Sequence, residues 1–174
     1  MAHAFMVATA DQLAQRGIAT LRFQFPYMER GSKRPDPPRI AHAAVRGAVA
    51  AASRLTPALP LVAGGKSFGG RMTSQAQAAS PLPGVRGLAF LSFPLHPAGR
   101  PSDERAGHLF DVRIPMLFVQ GSRDALADLL LLQPLIERLG ARATLQLLPG
   151  AGHSFPVRDE MVDALASWID TVIQ

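Results

Sequence analysis

Five consecutive residues, Gly65-Lys66-Ser67-Phe68-Gly69, have the types and spacing that nucleophilic chemistry needs. A short apolar run, Leu59 to Ala63, precedes them. Arg71 to Ala79, rich in Met, Gln and Ala and free of Pro and Gly, follows and reads as helix. A strand that turns sharply into a helix around G-x-S-x-G is a nucleophile elbow, with the serine hydroxyl exposed at the tip of a strained turn. The flanking glycines are expected to avoid collisions between Cβ atoms and neighbouring backbone. The N–H of Phe68 is expected to point where an oxyanion would form. A bare G-x-S-x-G arises by chance in roughly one chain in fifteen of this size, so its strand-to-helix context carries the argument. Gly65-Lys66-Ser67 also looks like the end of a phosphate-binding loop. That motif requires glycine five residues before Gly65, where this chain has Pro60.

A serine hydroxyl is a weak nucleophile at neutral pH and needs a base. Two further residues fall after apolar runs, on glycine-containing turns: Asp124 in Gly121-Ser122-Arg123-Asp124, and His153 in Gly150-Ala151-Gly152-His153. An imidazole can take the serine proton and return it to a leaving group, and a carboxylate can hold the ring in the required tautomer. Each has an ordinary reading as well. Asp124 could be a helix N-cap, Asp128 competes with it as the acid, and His153 could be a solvated loop residue, since four other histidines show that the residue is not rare here. Their joint placement, in the order Ser, Asp, His, favours a triad.

The elements that must position these residues alternate along the chain. Phe5 to Arg16 is an amphipathic helix closed by Gly17. In Ile18 to Phe25, Leu21, Phe23 and Phe25 alternate with Arg22 and Gln24, which predicts an edge strand. A proline-rich loop, Tyr27 to Pro38, leads to a helix over Arg39 to Leu55, with Asp36 as N-cap and Pro37 at its first turn. Then come the elbow strand and helix, a buried strand Val85 to Phe93, and an irregular segment Pro94 to Ile114. A second buried strand, Pro115 to Gln120, precedes an apolar helix, Leu126 to Leu139. The strand Ala143 to Leu148 and the helix Asp159 to Ile173 end the chain. This order predicts an α/β fold in three layers, one domain over residues 1–174, with a mostly parallel sheet of about five strands and helices on both faces.

Composition narrows the function. The 174 residues contain no cysteine, which excludes disulfides and a thiol nucleophile and fits a cytoplasmic protein. No apolar run approaches a membrane span, and the start Met1-Ala2-His3-Ala4-Phe5 does not read as a signal peptide. The net charge of +5 comes mainly from scattered arginines; only Arg30 to Arg39 is dense, without interleaved aromatics, which argues against nucleic acid. An anionic substrate or partner at that loop stays open.

The elbow Gly64 to Arg71, the acid loop Val119 to Asp124 and the histidine loop Gly152-His153-Ser154-Phe155 together resemble a small, lidless branch of the α/β-hydrolases. Phe23-Gln24-Phe25-Pro26-Tyr27-Met28-Glu29 and Phe93-Pro94-Leu95-His96-Pro97 match the same branch. It includes dienelactone-hydrolase-like proteins and resembles the hydrolase-like domain of a chromatin-complex subunit. The resemblance implies a serine hydrolase acting on a small acyl substrate through Ser67, Asp124 and His153, with Phe68 in the oxyanion hole and Tyr27, His96 and Arg71 bordering the pocket. It calls for no cofactor or metal, and a homo-oligomer is allowed. In one respect the chain departs from the family. There, a strand ending in a His-Gly-rich loop precedes the first helix, lies beside the elbow strand and supplies the second oxyanion N–H. Here the chain starts at the helix, so a truncated hydrolase fold is expected, with three outcomes open: the flanking strands close up and pair directly, another chain fills the gap, or, the one favoured, the written start lies downstream of the true one. The other function class compatible with this departure is a hydrolase-like fold kept as a binding or scaffold module.

Overall fold

The computed structural model describes residues 4–174; Met1 to His3 lie outside the described residues. Four parallel strands, β1 (Leu61–Lys66), β2 (Val85–Leu91), β3 (Met116–Gly121) and β4 (Ala143–Leu148), form one sheet in the order β1-β2-β3-β4. Alternation along the strands splits the core in two. Leu88, Phe90, Met116 and Phe118 face one side, where they meet α3 (Pro38–Leu55), α4 (Phe68–Ala79), a 3-10 segment (Glu104–Asp111) and α5 (Leu129–Leu139). Ala89, Leu91, Leu117 and Val119 face the other, against α1 (Ala4–Gln15) and α6 (Asp159–Ile173). A strand buried on both faces has no polar alternation, which is why β2 and β3 read as continuous apolar runs. Phe90, Phe93 and Phe118 stack edge-on or tilted at 4.8–5.6 Å between centroids and fill the centre of the first layer.

Two sequence expectations need correction. Ile18 to Phe25 is not a strand of this sheet, which therefore has four strands rather than five. The segment carries no regular secondary structure and packs through Phe25, against Phe23 and Phe68, and among the described residues β1 pairs only with β2. A cleft separates the segment from β1. Of the face expected to turn inward only Phe25 is buried; Leu21 and Phe23 are exposed while Arg22 and Gln24 are partly covered, because with no neighbouring strand paired to it the segment has no sheet face to bury.

Asp36 does not cap α3, whose N-cap is Pro37. Its side chain is buried and turns the other way, accepting from the Tyr27 N–H at 2.7 Å and pairing with Arg30 at 2.6 Å. It thereby ties down the short helix α2 (Pro26–Glu29), which follows Phe25 and leads into the arginine-rich loop. No described helix is long and apolar enough to cross a membrane.

Candidate active site

Ser67 sits between β1 and α4 with φ +51 and ψ −117, a left-handed conformation that costs a serine energy and persists because both sides of the turn are anchored. Its N–H donates to the Leu91 carbonyl on β2 (3.0 Å), and its own carbonyl accepts from Arg71 N–H one turn into α4 (3.1 Å). The close approach that demands glycine lies between Gly65 and Gly70. A Cβ on Gly70 would fall 2.8 Å from the Gly65 oxygen, and one on Gly65 would fall 3.1 Å from Gly70 N. Gly69 carries no such constraint: a Cβ there would meet only the Phe25 ring, at 3.7 Å. Phe68 is the first residue of α4, where backbone N–H groups have no acceptor within the helix.

Three strands deliver the polar residues to one end of the sheet. Ser67 Oγ lies 2.8 Å from His153 Nε2, and His153 Nδ1 lies 2.8 Å from Asp124 Oδ2. An ionised carboxylate accepts at Nδ1–H, which leaves Nε2 to accept from the serine hydroxyl. Asp124 is fully buried by side chain, His153 about one-fifth exposed. Burial of a carboxylate is tolerable only with hydrogen bonds, and Asp124 has three. Besides His153, its Oδ2 accepts from Gln120 Nε2 (2.5 Å) and its Oδ1 from Leu126 N–H (2.8 Å). The competing Asp128 is used elsewhere: it caps α5, accepting from Leu130 N–H at 2.9 Å.

Two residues that the sequence analysis passed over shape this arrangement. Gln120, buried at the end of β3, donates to Asp124 and accepts from Phe93 N–H (2.8 Å), so it bridges the acid to the loop after β2. Ser92, also buried and at φ +60, donates from Oγ to the His153 carbonyl (2.9 Å) and fixes the histidine loop. A signal was available in each case, since both are polar residues closing an otherwise apolar strand.

The remaining expected residues are dispersed. Tyr27 packs edge-on against Phe68 (5.9 Å), and burial together with the nearby Asp36 carboxylate raises its pKa. Arg71, one turn beyond the serine, has its Nε buried without a partner among the described residues; burial and the neighbouring Arg105 lower its pKa. His96 is buried with both ring nitrogens engaged: Nδ1 with the Pro97 carbonyl and Nε2 accepting from Asp128 N–H, each at 2.9 Å. It clamps the acid loop, lining a cavity of about 390 Å³ with Asp124 and Asp128. Lys66, beside the serine, holds its ammonium 3.8 Å from the centre of the Phe5 ring and ties α1 to the elbow. Lys33 and Arg34 are exposed on the loop that follows α2.

Fold, strand order and the strand-to-helix serine turn define a class. Residues 1–174 match the family profile described as "Alpha/beta hydrolase domain", and the chain belongs to that family. Among solved structures it is similar to an alpha-beta serine hydrolase homologue from Coxiella burnetii (TM-score 0.73, 18% identity, covering 99% of this chain and 77% of that one). It is also similar to a lidless α/β serine hydrolase from Xanthomonas campestris (TM-score 0.70, 23% identity, 99% and 74% covered). A third is the esterase domain of a Rhodothermus marinus protein (TM-score 0.67, 18% identity, 100% and 83% covered). At these identities the likeness is one of fold.

Proposed function

We propose that this protein is a serine hydrolase that cleaves a small ester or related acyl compound through an acyl-enzyme on Ser67. The observation that carries this reading is the unbroken line Asp124–His153–Ser67, with two contacts of 2.8 Å ending on a serine held at φ +51. Ser67 Oγ attacks the acyl carbon as its proton passes to His153 Nε2. The imidazolium so formed is stabilised by the buried Asp124 carboxylate, which stays ionised. Negative charge moves to the acyl oxygen, where the Phe68 N–H donates to it. The intermediate collapses, the bond to the leaving group breaks, and His153 returns the proton to that group. Water then repeats the sequence, releasing the acid and the free serine. Tyr27 and Arg71 border the acyl site in this scheme, with Arg71 favouring a substrate that bears negative charge. His96 acts through the acid loop rather than on substrate.

A series of p-nitrophenyl esters of increasing chain length, assayed with the parent and with Ser67→Ala, tests the reading. It expects turnover by the parent, with a preferred chain length, and none above background in the variant. Turnover by Ser67→Ala within tenfold of the parent would remove Ser67 from the mechanism.

A further inference from the structure

All three members of the line Asp124–His153–Ser67 are tied to one tripeptide, Leu91-Ser92-Phe93, where β2 ends. The Leu91 carbonyl accepts from Ser67 N–H (3.0 Å). Ser92 Oγ donates to the His153 carbonyl (2.9 Å). Phe93 N–H donates to Gln120 Oε1 (2.8 Å), and Gln120 Nε2 donates in turn to Asp124 Oδ2 (2.5 Å). His153 Nδ1 meets the same Oδ2 at 2.8 Å, which closes a ring through Asp124, Gln120, Phe93, Ser92 and His153. The tripeptide is itself anchored, since Ser92 N–H donates to the Val119 carbonyl on β3 (2.9 Å).

Packing explains neither polar side chain of this ring. Ser92 is buried at φ +60, a conformation that glycine adopts without strain and serine does not. Gln120 is buried at the end of a strand that is apolar from Met116 to Val119, and a buried amide is costly unless it is bonded. Both side chains use their polar atoms on the ring. Leu126 N–H holds Asp124 Oδ1 and Gln120 holds Oδ2, so two protein donors fix the plane of the carboxylate before the imidazole adds a third.

We propose, resting on the serine-hydrolase reading, that Gln120 and Ser92 are positioning residues that act as one unit. The ring locks the oxygen of the acid and the backbone of the base to each other, so opening it at either point frees both. Without Gln120 the carboxylate turns about its bond to Cβ, and the imidazole follows. Without the Ser92 hydroxyl the backbone of His153 shifts against the acid. In either case Nε2 leaves its line with Ser67 Oγ. Neither buried side chain reaches substrate, so orientation for proton transfer is lost while substrate binding is kept.

The test uses Gln120→Met, Ser92→Gly and the double variant, with p-nitrophenyl ester turnover taken per folded protein. Glycine suits the backbone at position 92, so Ser92→Gly keeps the fold even if Gln120→Met does not. Each single change lowers kcat by about 100-fold with KM kept, the scale of a small misplacement of reacting groups. The double variant also loses about 100-fold, where independent residues would lose about 10⁴-fold. A second readout needs no turnover. In protein labelled with 15N-histidine, the proton between His153 Nδ1 and Asp124 gives a far-downfield NMR signal. That signal persists in Ser67→Ala and is lost by broadening in Gln120→Met and in Ser92→Gly. Unchanged kcat in the folded variants, losses that multiply in the double variant, or a signal that neither change moves would each overturn the proposal. If the parent turned over no ester, the serine-hydrolase reading would fail, and the NMR signal alone would decide for or against the ring.

Discussion

β1 and β3 are both six-residue parallel strands, and they stand in opposite circumstances. Every residue of β3 is buried, and the strand is paired on both sides, with β2 and β4. No residue of β1 is fully buried, and it is paired on one side. Yet β1 carries the serine, while the acid and its Gln120 partner stand on β3 and the turn that follows it. The acid thus follows a strand buried throughout, and the serine one that is only partly buried. The acid side is held by packing and by three hydrogen bonds to one carboxylate. The serine side is held by a turn whose anchors are the Leu91 carbonyl and the first turn of α4.

The largest expected effects are on the chemistry that joins the two strands. Ser67→Ala removes only a hydroxyl, so the fold stays and ester turnover falls by about 10⁶-fold, read as kcat on the best p-nitrophenyl ester. On the β3 side, Asp124→Asn lowers kcat by about 10⁴-fold, because the amide no longer selects the required tautomer. Asp128→Asn, which touches only the α5 cap, leaves kcat within a few-fold. If Asp128→Asn proved the damaging change, the acid would have been assigned to the wrong loop.

Stability should follow the same divide. Phe118→Ala, in the centre of the aromatic cluster, costs about 3–5 kcal/mol in denaturant unfolding. Val62→Ala, on the partly buried β1, costs about 1 kcal/mol. Equal losses would mean that β1 is packed as tightly as β3 in solution, and the contrast would fail.

How the sequence conveyed all this differs between the two regions. The buried strands were legible because burial on both faces leaves no polar residue in runs such as Met116 to Val119. Ser67, Asp124 and His153 stood out as candidates because each falls after a strand, on a glycine-containing turn. Neither pairing nor facing was legible for Ile18 to Phe25, since alternation gives a facing only where a paired sheet face exists to be covered. Nor was the true use of Asp36, whose local signature as an N-cap competes with a non-local bond to Tyr27 N–H. Gln120 and Ser92 could be noticed as polar residues closing apolar strands, but their roles needed the fold, because Phe93 and His153 lie 27 and 61 residues from them in sequence.

Smaller effects sharpen the picture. His108 is held at a pKa of about 4, below the ordinary 6.5, mainly by burial, with its Nε2 2.8 Å from Ser74 Oγ on α4. The unfolded chain then binds more protons than the folded one between those values. His108 therefore leaves stability unaffected above pH 6.5 and lowers it as the pH falls toward 4. His108→Gln should flatten that part of the curve of stability against pH, and an unchanged slope would place the acid sensitivity elsewhere. Smallest of all, Lys33→Glu with Arg34→Glu should raise KM for an anionic ester more at low salt than at high salt, as screening of exposed charges requires. An effect independent of salt would return those residues to an ordinary solvated loop.

The most direct test of the joined site is labelling by a fluorophosphonate, with the adduct located by mass spectrometry. An activated serine reacts; a serine in an inert turn does not. The account predicts a single adduct on the peptide containing Ser67, formed far more slowly in Asp124→Asn and not at all in Ser67→Ala. No adduct on the folded parent protein, or an adduct on another serine, would contradict it.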